Sequence, residues 1–355
     1  LTVNGDPLRG PAGDSVAEPS SGGSSNVAAQ FGRYRVERLL GQGGMGAVYL
    51  AHDTQLHRPV ALKIPKFDDE PRPELVERFY REARSAALLR HPNLCPVYDV
   101  GEINGTHYIT MAYIEGRSLA EFIKAGEPKS IGQIATLIRK IAMALEEAHA
   151  HGIVHRDLKP LNIMIDKRRE PIIMDFGLAH QLKREKDVRL TQSGVLIGSP
   201  AYMSPEQLYG KRDQVGPASD VYALGVIFFE LLTGRLPFEG PVSAVIAQVI
   251  SRDPPRPGTM RRDIDPATES ICLKMMAREI KDRYANMHEV ADALTAFLEN
   301  RAQAPTTSET NFRAAASTPI SPPVTAAPPR AHPPPLPRRT TPQQESPRRE
   351  PLPRP

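Results

Sequence analysis

An α+β fold of two lobes is what this sequence predicts: a small β-rich lobe carrying one helix, then a larger and mostly helical lobe. Three observations carry that expectation. Short runs rich in Val, Ile, Tyr and Leu, broken by Gly, Asp, Asn and Pro, fill the first third of the region that can fold. From about residue 118 a helical period replaces them. The two ends of the chain, by contrast, have compositions that cannot bury a core. A β-rich lobe joined to a helical one implies a cleft between them.

Residues 1–30 are Gly, Ser, Pro and Ala with few large apolar groups, so a disordered segment is expected there. Residues 301–355 hold 15 of the 36 prolines, and residues 302–355 hold seven arginines against three glutamates. That imbalance equals the whole formal net charge of +4. A disordered tail or juxtamembrane-type linker, extended and partly polyproline II, is the reading. Its "PPPLPRR" matches a P-x-x-P-x-Arg ligand, a pattern that proline-rich linkers meet easily. Between these ends, residues 31–300 are globular in composition, with 40 % of the whole chain apolar. The basic residues form no long block, which argues against a nucleic-acid partner. No run of about 18 apolar residues occurs, so no membrane contact is expected within this segment. Cys95 and Cys272 stand far apart without C-x-x-C spacing and read as buried reduced thiols in a cytoplasmic domain.

The strands expected in order are "YRVERLL", "AVYLAHD", "PVALKIP", "CPVYDVGEI" and "THYITMAYI". One helix interrupts them, "PELVERFYREARSAALL", where Leu75, Phe79, Ala83 and Ala86 recur at helical spacing. The helical lobe follows as "SIGQIATLIRKIAMALEEAHAHG", "SDVYALGVIFFELLTG", "TESICLKMMARE" and "MHEVADALTAFLEN". The second of these reads as a buried core helix opening at a Ser/Asp cap.

"LLGQGGMGAVYLA" places Gly41, Gly43, Gly46 and Val48 at G-x-G-x-x-G-x-V spacing. Since "AVYLA" is β-type, the glycines sit in a hairpin, where missing Cβ atoms let backbone N–H groups approach an anion. On the next strand, "VALK" ends at Lys63, and Glu82 on the one early helix could pair with it. A Lys so fixed can neutralise phosphate charge. The stretch "IVHRDLKPLNIMI", residues 153–165, sets Asp157, Lys159 and Asn162 between apolar anchors. Phosphoryl transfer to a hydroxyl needs a carboxylate to take the proton, a cation near the transferred group and a metal ligand. Thirteen residues after Asn162, "MDFGLA" offers Asp175 as a second metal ligand.

With these motifs in this order, the chain resembles a eukaryotic-like Ser/Thr protein kinase, similar to the bacterial receptor type, over about residues 34–298. The resemblance implies the bilobal protein-kinase fold, a small lobe over about 31–114 and a large lobe over about 115–300. It implies Mg²⁺·ATP as phosphoryl donor, with Mn²⁺ as the alternative ion, and protein substrates. Leu40, Gly41, Gly43 and Gly46 would cover the nucleotide, and Lys63, paired with Glu82, would hold its phosphates. Val48, Ala61 and Met164 would sandwich the adenine, Met111 would stand at the gatekeeper position, and the backbones of Ala112 and Ile114 would read the adenine edge. Asp157 would be the catalytic base, Lys159 would sit near the γ-phosphate, and Asn162 with Asp175 would bind the metal. "SPE", Ser204 to Glu206, would close the activation segment, with Glu206 paired to Arg283. Arg156 is the residue that would hold a phosphorylated activation loop, and Thr191 and Ser193 are the expected autophosphorylation sites. Asp220 would steady the catalytic-loop backbone, and His155 would pack beneath it. The resemblance further suggests a homodimer for trans-autophosphorylation, and a membrane anchor outside these residues.

Overall fold

A computed structural model describes residues 30–43, 46–67, 73–127, 129–176, 200–211 and 213–303. Thr191, Ser193 and the Pro-rich tail lie outside the described residues. The small lobe is a six-stranded antiparallel sheet of β1 Gln30–Phe31, β2 Tyr34–Gly43, β3 Gly46–Asp53, β4 Arg58–Pro65, β5 Val97–Ile103 and β6 Thr106–Ala112. Its strand order is β1-β2-β3-β4-β6-β5. Strict alternation of buried and half-buried residues along β3 leaves Ala47, Tyr49 and Ala51 inside. They join Tyr34, Val60, Leu62 and Tyr108 in the sheet's inner core. Tyr34 and Tyr108 both donate to Asp99 Oδ2, at 3.0 and 3.1 Å, which ties the start of β2 to the far edge of the sheet.

The one helix of this lobe, α1 Pro73–Leu88, turns Phe79, Ala83 and Ala86 inward at the expected spacing. Beyond it the chain is stitched to the large lobe by backbone. Cys95 N–H donates to Ile173 O, and Ile173 N–H donates to Asn93 O, both at 2.9 Å. Asn93 Nδ2 adds a bond to Pro171 O at 2.7 Å. These contacts hold the route from α1 to β5 against β9 Pro171–Ile173, the last strand of a small sheet ordered β7-β8-β9. The other two strands are β7 Gly116–Ser118 and β8 Ile163–Asp166.

The large lobe contains α2 Leu119–Lys124, α3 Ile131–Ala150, α4 Pro205–Leu208, α5 Pro217–Thr233, α6 Val242–Ser251, α7 Pro257–Met260, α8 Pro266–Met275 and α9 Met287–Gln303. Ser130 caps α3, accepting from Gln133 N–H at 3.2 Å while Gln133 Oε1 accepts from Ser130 N–H at 3.0 Å. Helix α5 is buried nearly all round and forms the hub, packed by α3 and α8. Gly225 makes that hub close-packed, because a Cβ there would stand 2.8 Å from Met275 and Met276. Both cysteines are free and buried, and burial pushes the Cys95 thiol up to about 12.

One boundary departs from the sequence reading. Helix α5 opens at Gly216 and Pro217 rather than at a Ser/Asp cap. Pro suits a first helical turn, where its missing N–H has no partner to lose. Ser219 and Asp220 are 1 % exposed and lie inside the first turn: Ser219 Oγ accepts from Gly216 N–H at 3.3 Å and donates to Glu206 Oε1 at 2.7 Å, and Asp220 serves the loop before β8.

The expected Glu206–Arg283 pair is present, doubly bonded at 2.8 Å with both residues buried. Burial would raise the Glu206 pKa, but the hydrogen bonds and charge of Arg283 hold it below the ordinary carboxylate value. Arg283→Met strands that carboxylate and is expected to cost about 3–5 kcal/mol, read from urea unfolding. The wild-type contribution is present above the unfolded value of 4.5 and fades as pH falls through the depressed folded value. The variant therefore loses most of its difference from wild type in acid.

Candidate active site

The glycine-bearing turn joins β2 and β3, with Gly43 opposite Gly46 and Gly41 opposite Val48. A Cβ at Gly41 or Gly43 would meet no atom of the described residues within 4 Å. Gly46 differs. It has φ +123°, and a Cβ would overlap the Ile64 carbonyl oxygen, so this glycine is required by the fold itself.

Beneath the turn, β4 carries Lys63 opposite Val48. Lys63 is 5 % exposed, and its Nζ donates to Asp175 Oδ1 at 2.7 Å. Burial would raise the Asp175 pKa, but the Lys63 ammonium and its hydrogen bond hold it below the ordinary value. Glu82 is not brought to Lys63. It lies on α1 with Oε2 buried and unpartnered, and burial pushes its carboxyl up to about 7. The cations that act on it are Arg156, Arg78 and Arg81. The Lys63 ammonium is bonded to Asp175 instead.

The loop that precedes β8 is held from below by one carboxylate. Asp220, on the first turn of α5, accepts from His155 N–H at 2.8 Å and Arg156 N–H at 2.9 Å, and also bonds His149 Nε2 at 2.8 Å. Arg156 consequently sits at φ +65°. His155, 1 % exposed, bonds Met174 O through Nε2 at 3.0 Å and packs its ring 5.0 Å from Phe176. That contact joins the Asp157 loop to the segment bearing Asp175. Above it, Lys159 Nζ donates to Asp157 Oδ2 at 2.7 Å. Asn162 Nδ2 donates to Asp157 O at 2.7 Å, which leaves the amide oxygen for another partner. The Asp157, Asn162 and Asp175 oxygens are hard donors of the kind that a divalent cation bound to phosphates selects.

The residues expected around an adenine do gather. Ala61, Met111 and Ala112 are buried in one apolar cluster against which Val48, Ile114 and Met164 pack. Ala61 stands opposite Met111 in the β4–β6 register. Ala112 N–H is donated to Pro96 O at 2.9 Å, and its carbonyl accepts from Cys95 Sγ at 3.6 Å. Leu40 lies on β2, 37 % exposed, beside the glycines. The three histidines of "HAHGIVH" face different partners: Asp220 for His149, the Glu147 carbonyl for His151 and the Met174 carbonyl for His155.

One contact of this loop escaped the sequence reading. Gln207 Nε2 donates to Arg156 O at 2.7 Å. Its only trace in sequence is its place three residues after Ser204, the spacing of a helix-start box.

Comparison with known proteins follows this geometry. The family model for the protein kinase domain matches residues 34–295. The serine/threonine-protein kinase PrkC of Bacillus subtilis is 40 % identical over 272 residues, covering 76 % of this chain and 41 % of that protein. The serine/threonine-protein kinase PknB of Mycolicibacterium smegmatis is 38 % identical over 275 residues, covering 76 % of this chain and 44 % of that protein. The chain thus spans about two-fifths of the length of these curated relatives. A crystal structure of the Mycobacterium tuberculosis PknI kinase domain superposes with a TM-score of 0.59 at 28 % identity, over 78 % of this chain and 99 % of that one.

The Glu82 carboxyl supplies a pH test. Its folded value lies above the unfolded 4.5, so the arrangement is most stable below pH 4.5 and loses stability as pH rises toward about 7. Glu82→Gln removes that loss. Its thermal midpoint is expected to match wild type at pH 5 and exceed it at pH 8; a constant offset at both would contradict the assignment.

Proposed function

The chain belongs to the protein kinase domain family, and from that premise we propose that it transfers the γ-phosphoryl of ATP to Ser or Thr hydroxyls of protein substrates. The observation that carries this reading is the bond between Lys63 and Asp175, with the Asp157 loop tied to the segment that bears Asp175.

In this reading Asp157 takes the proton of the acceptor hydroxyl as that oxygen attacks phosphorus. Lys159, already 2.7 Å from Asp157 Oδ2, keeps the carboxylate turned toward the acceptor and adds positive charge beside the transferred group. Lys63 neutralises phosphate oxygens from within the small lobe. Asn162 and Asp175 would hold Mg²⁺ or Mn²⁺, which when bound offsets the charge of the phosphates. The apolar wall of Val48, Ala61, Met111 and Met164 excludes water from the base, with the backbones of Ala112 and Ile114 at its edge. Substitution of Glu82 for Asp175 at Lys63 would free Asp175 for the metal.

We assign the kinase domain to residues 31–300, with lobes over about 31–114 and 115–300; a compact unit reaching Ala304 supports the outer limit. Residues 1–30 and 301–355 are then segments that flank it. Among the described residues no helix is long and apolar enough to cross a membrane. Control by autophosphorylation at Thr191 and Ser193, in trans within a homodimer, completes the reading. Phosphate on either hydroxyl adds charge that Arg156 can pair, and the buried Arg156 Nε has no partner.

Incubation with labelled ATP and Mg²⁺ tests the assignment. Asp157→Asn is expected to lower transfer by about 10²–10⁴-fold while ATP affinity stays within about twofold. Parallel loss of both would mean that Asp157 only supports the fold. Mass spectrometry of the active protein is expected to find phosphate on Thr191 or Ser193; two bare hydroxyls would end that part of the proposal.

A further inference from the structure

The peptide joining Arg156 to Asp157 is gripped at every polar atom around it. Its N–H, from Asp157, donates to His155 O at 2.9 Å. Its carbonyl, from Arg156, accepts from Gln207 Nε2 at 2.7 Å. The preceding N–H, of Arg156, donates to Asp220 Oδ1 at 2.9 Å. These anchors surround a residue at φ +65°, a region that a long L side chain avoids unless its surroundings impose it. The plane of this peptide sets where the Asp157 Cα, and hence its carboxylate, stands. Of the three anchors, His155 belongs to the loop itself and Asp220 to α5. Gln207 alone reaches the carbonyl, and it comes from α4, the helix that closes the segment after residue 199.

Gln207 is also fastened at its other atom. Its Oε1 accepts from Ser204 N–H at 3.0 Å and Ser204 Oγ at 3.2 Å. Ser204 is fully buried, and the neighbouring Glu206 is locked to Arg283 and Ser219. One amide therefore bridges a rigid helix start to the carbonyl before Asp157. Resting on the kinase reading above, we propose that Gln207 is a positioning residue: its Nε2–H bond to Arg156 O fixes the 156–157 peptide plane and so aims the Asp157 carboxylate. Without that donor the half-buried carbonyl has no partner among the described residues, and rotation of the peptide toward an unstrained backbone carries Asp157 off line. The aim of the base then depends on the folded state of the "SPEQ" turn.

The test uses the full 355-residue chain as wild type, Gln207→Glu and Gln207→Met. Glu keeps the oxygen that accepts from Ser204 but removes the donor, while Met removes both. Turnover is measured with labelled Mg²⁺·ATP and dephosphorylated casein, and expressed per ATP-binding site from a nucleotide titration. Both variants are expected to lose about 10–100-fold in kcat with the KM for ATP within about twofold. Amide hydrogen exchange at residues 156–157 is expected to quicken about tenfold, with exchange along α3 unchanged. Wild-type turnover per site in Gln207→Glu overturns the proposal, as does a loss that merely follows the fraction able to bind ATP. If the wild type transfers nothing to casein or to itself, the kinase reading has failed. The exchange at 156–157 then still decides whether Gln207 holds the peptide, and an unchanged rate refutes it.

Discussion

Asp220 is the constraint on which the site is built. Its carboxylate is 1 % exposed, and a buried charge of this kind persists only when hydrogen bonds replace its lost hydration. Two consecutive backbone N–H groups and one imidazole supply them. To present two successive amides to one carboxylate, the chain must turn back on itself, and Arg156 adopts a left-handed backbone to do so. Everything above inherits that turn: His155 falls beneath the loop against Phe176, and Asp157 is lifted to the crevice floor. Because Asp220 rides on the most buried helix of the large lobe, the loop is as fixed as the core.

The small lobe contributes charge on a less committed footing. Lys63 is buried and has two carboxylates to choose between, Asp175 and Glu82, of which it holds the first. The unchosen Glu82 pays in hydration: buried without a partner, it is most stable as the neutral acid. The arrangement therefore contains an unspent pairing. Moving the ammonium from Asp175 to the helix carboxylate would relieve Glu82 and leave the Asp175 oxygens bare.

Much of this was legible in the chain. The five main strands follow from β-type runs bounded by Gly, Asp, Asn and Pro, and the helix over 73–88 from its helical spacing; strict alternation marks β3. The order of the glycine turn, Lys63, Asp157, Asn162 and Asp175 pointed to one crevice; the fold bonds Lys63 to Asp175 and Asn162 to Asp157. What failed to show were choices among equivalent partners. Sequence distance could not tell whether Lys63 would take Glu82 or Asp175, since both are carboxylates within reach in a two-lobed fold. The α5 cap was misread because Ser219 bonds the Gly216 N–H from inside the first turn, not from the cap position, and tertiary hydrogen bonds claimed Asp220. Gln207 was silent because an amide in a helix start has an ordinary local role, and its second bond spans 51 residues.

The hairpin over the crevice divides its three glycines between two masters. Gly46 answers to architecture, since the Ile64 carbonyl occupies the place of any side chain. Gly41 and Gly43 face empty space and answer to nothing inside the described protein. Mutational tolerance at neighbouring, chemically identical positions should therefore report on unrelated properties. A library selected for solubility alone would drift freely at the outer pair and stay frozen at the inner one, so the frozen position would disclose the scaffold and the drifting ones the visitor.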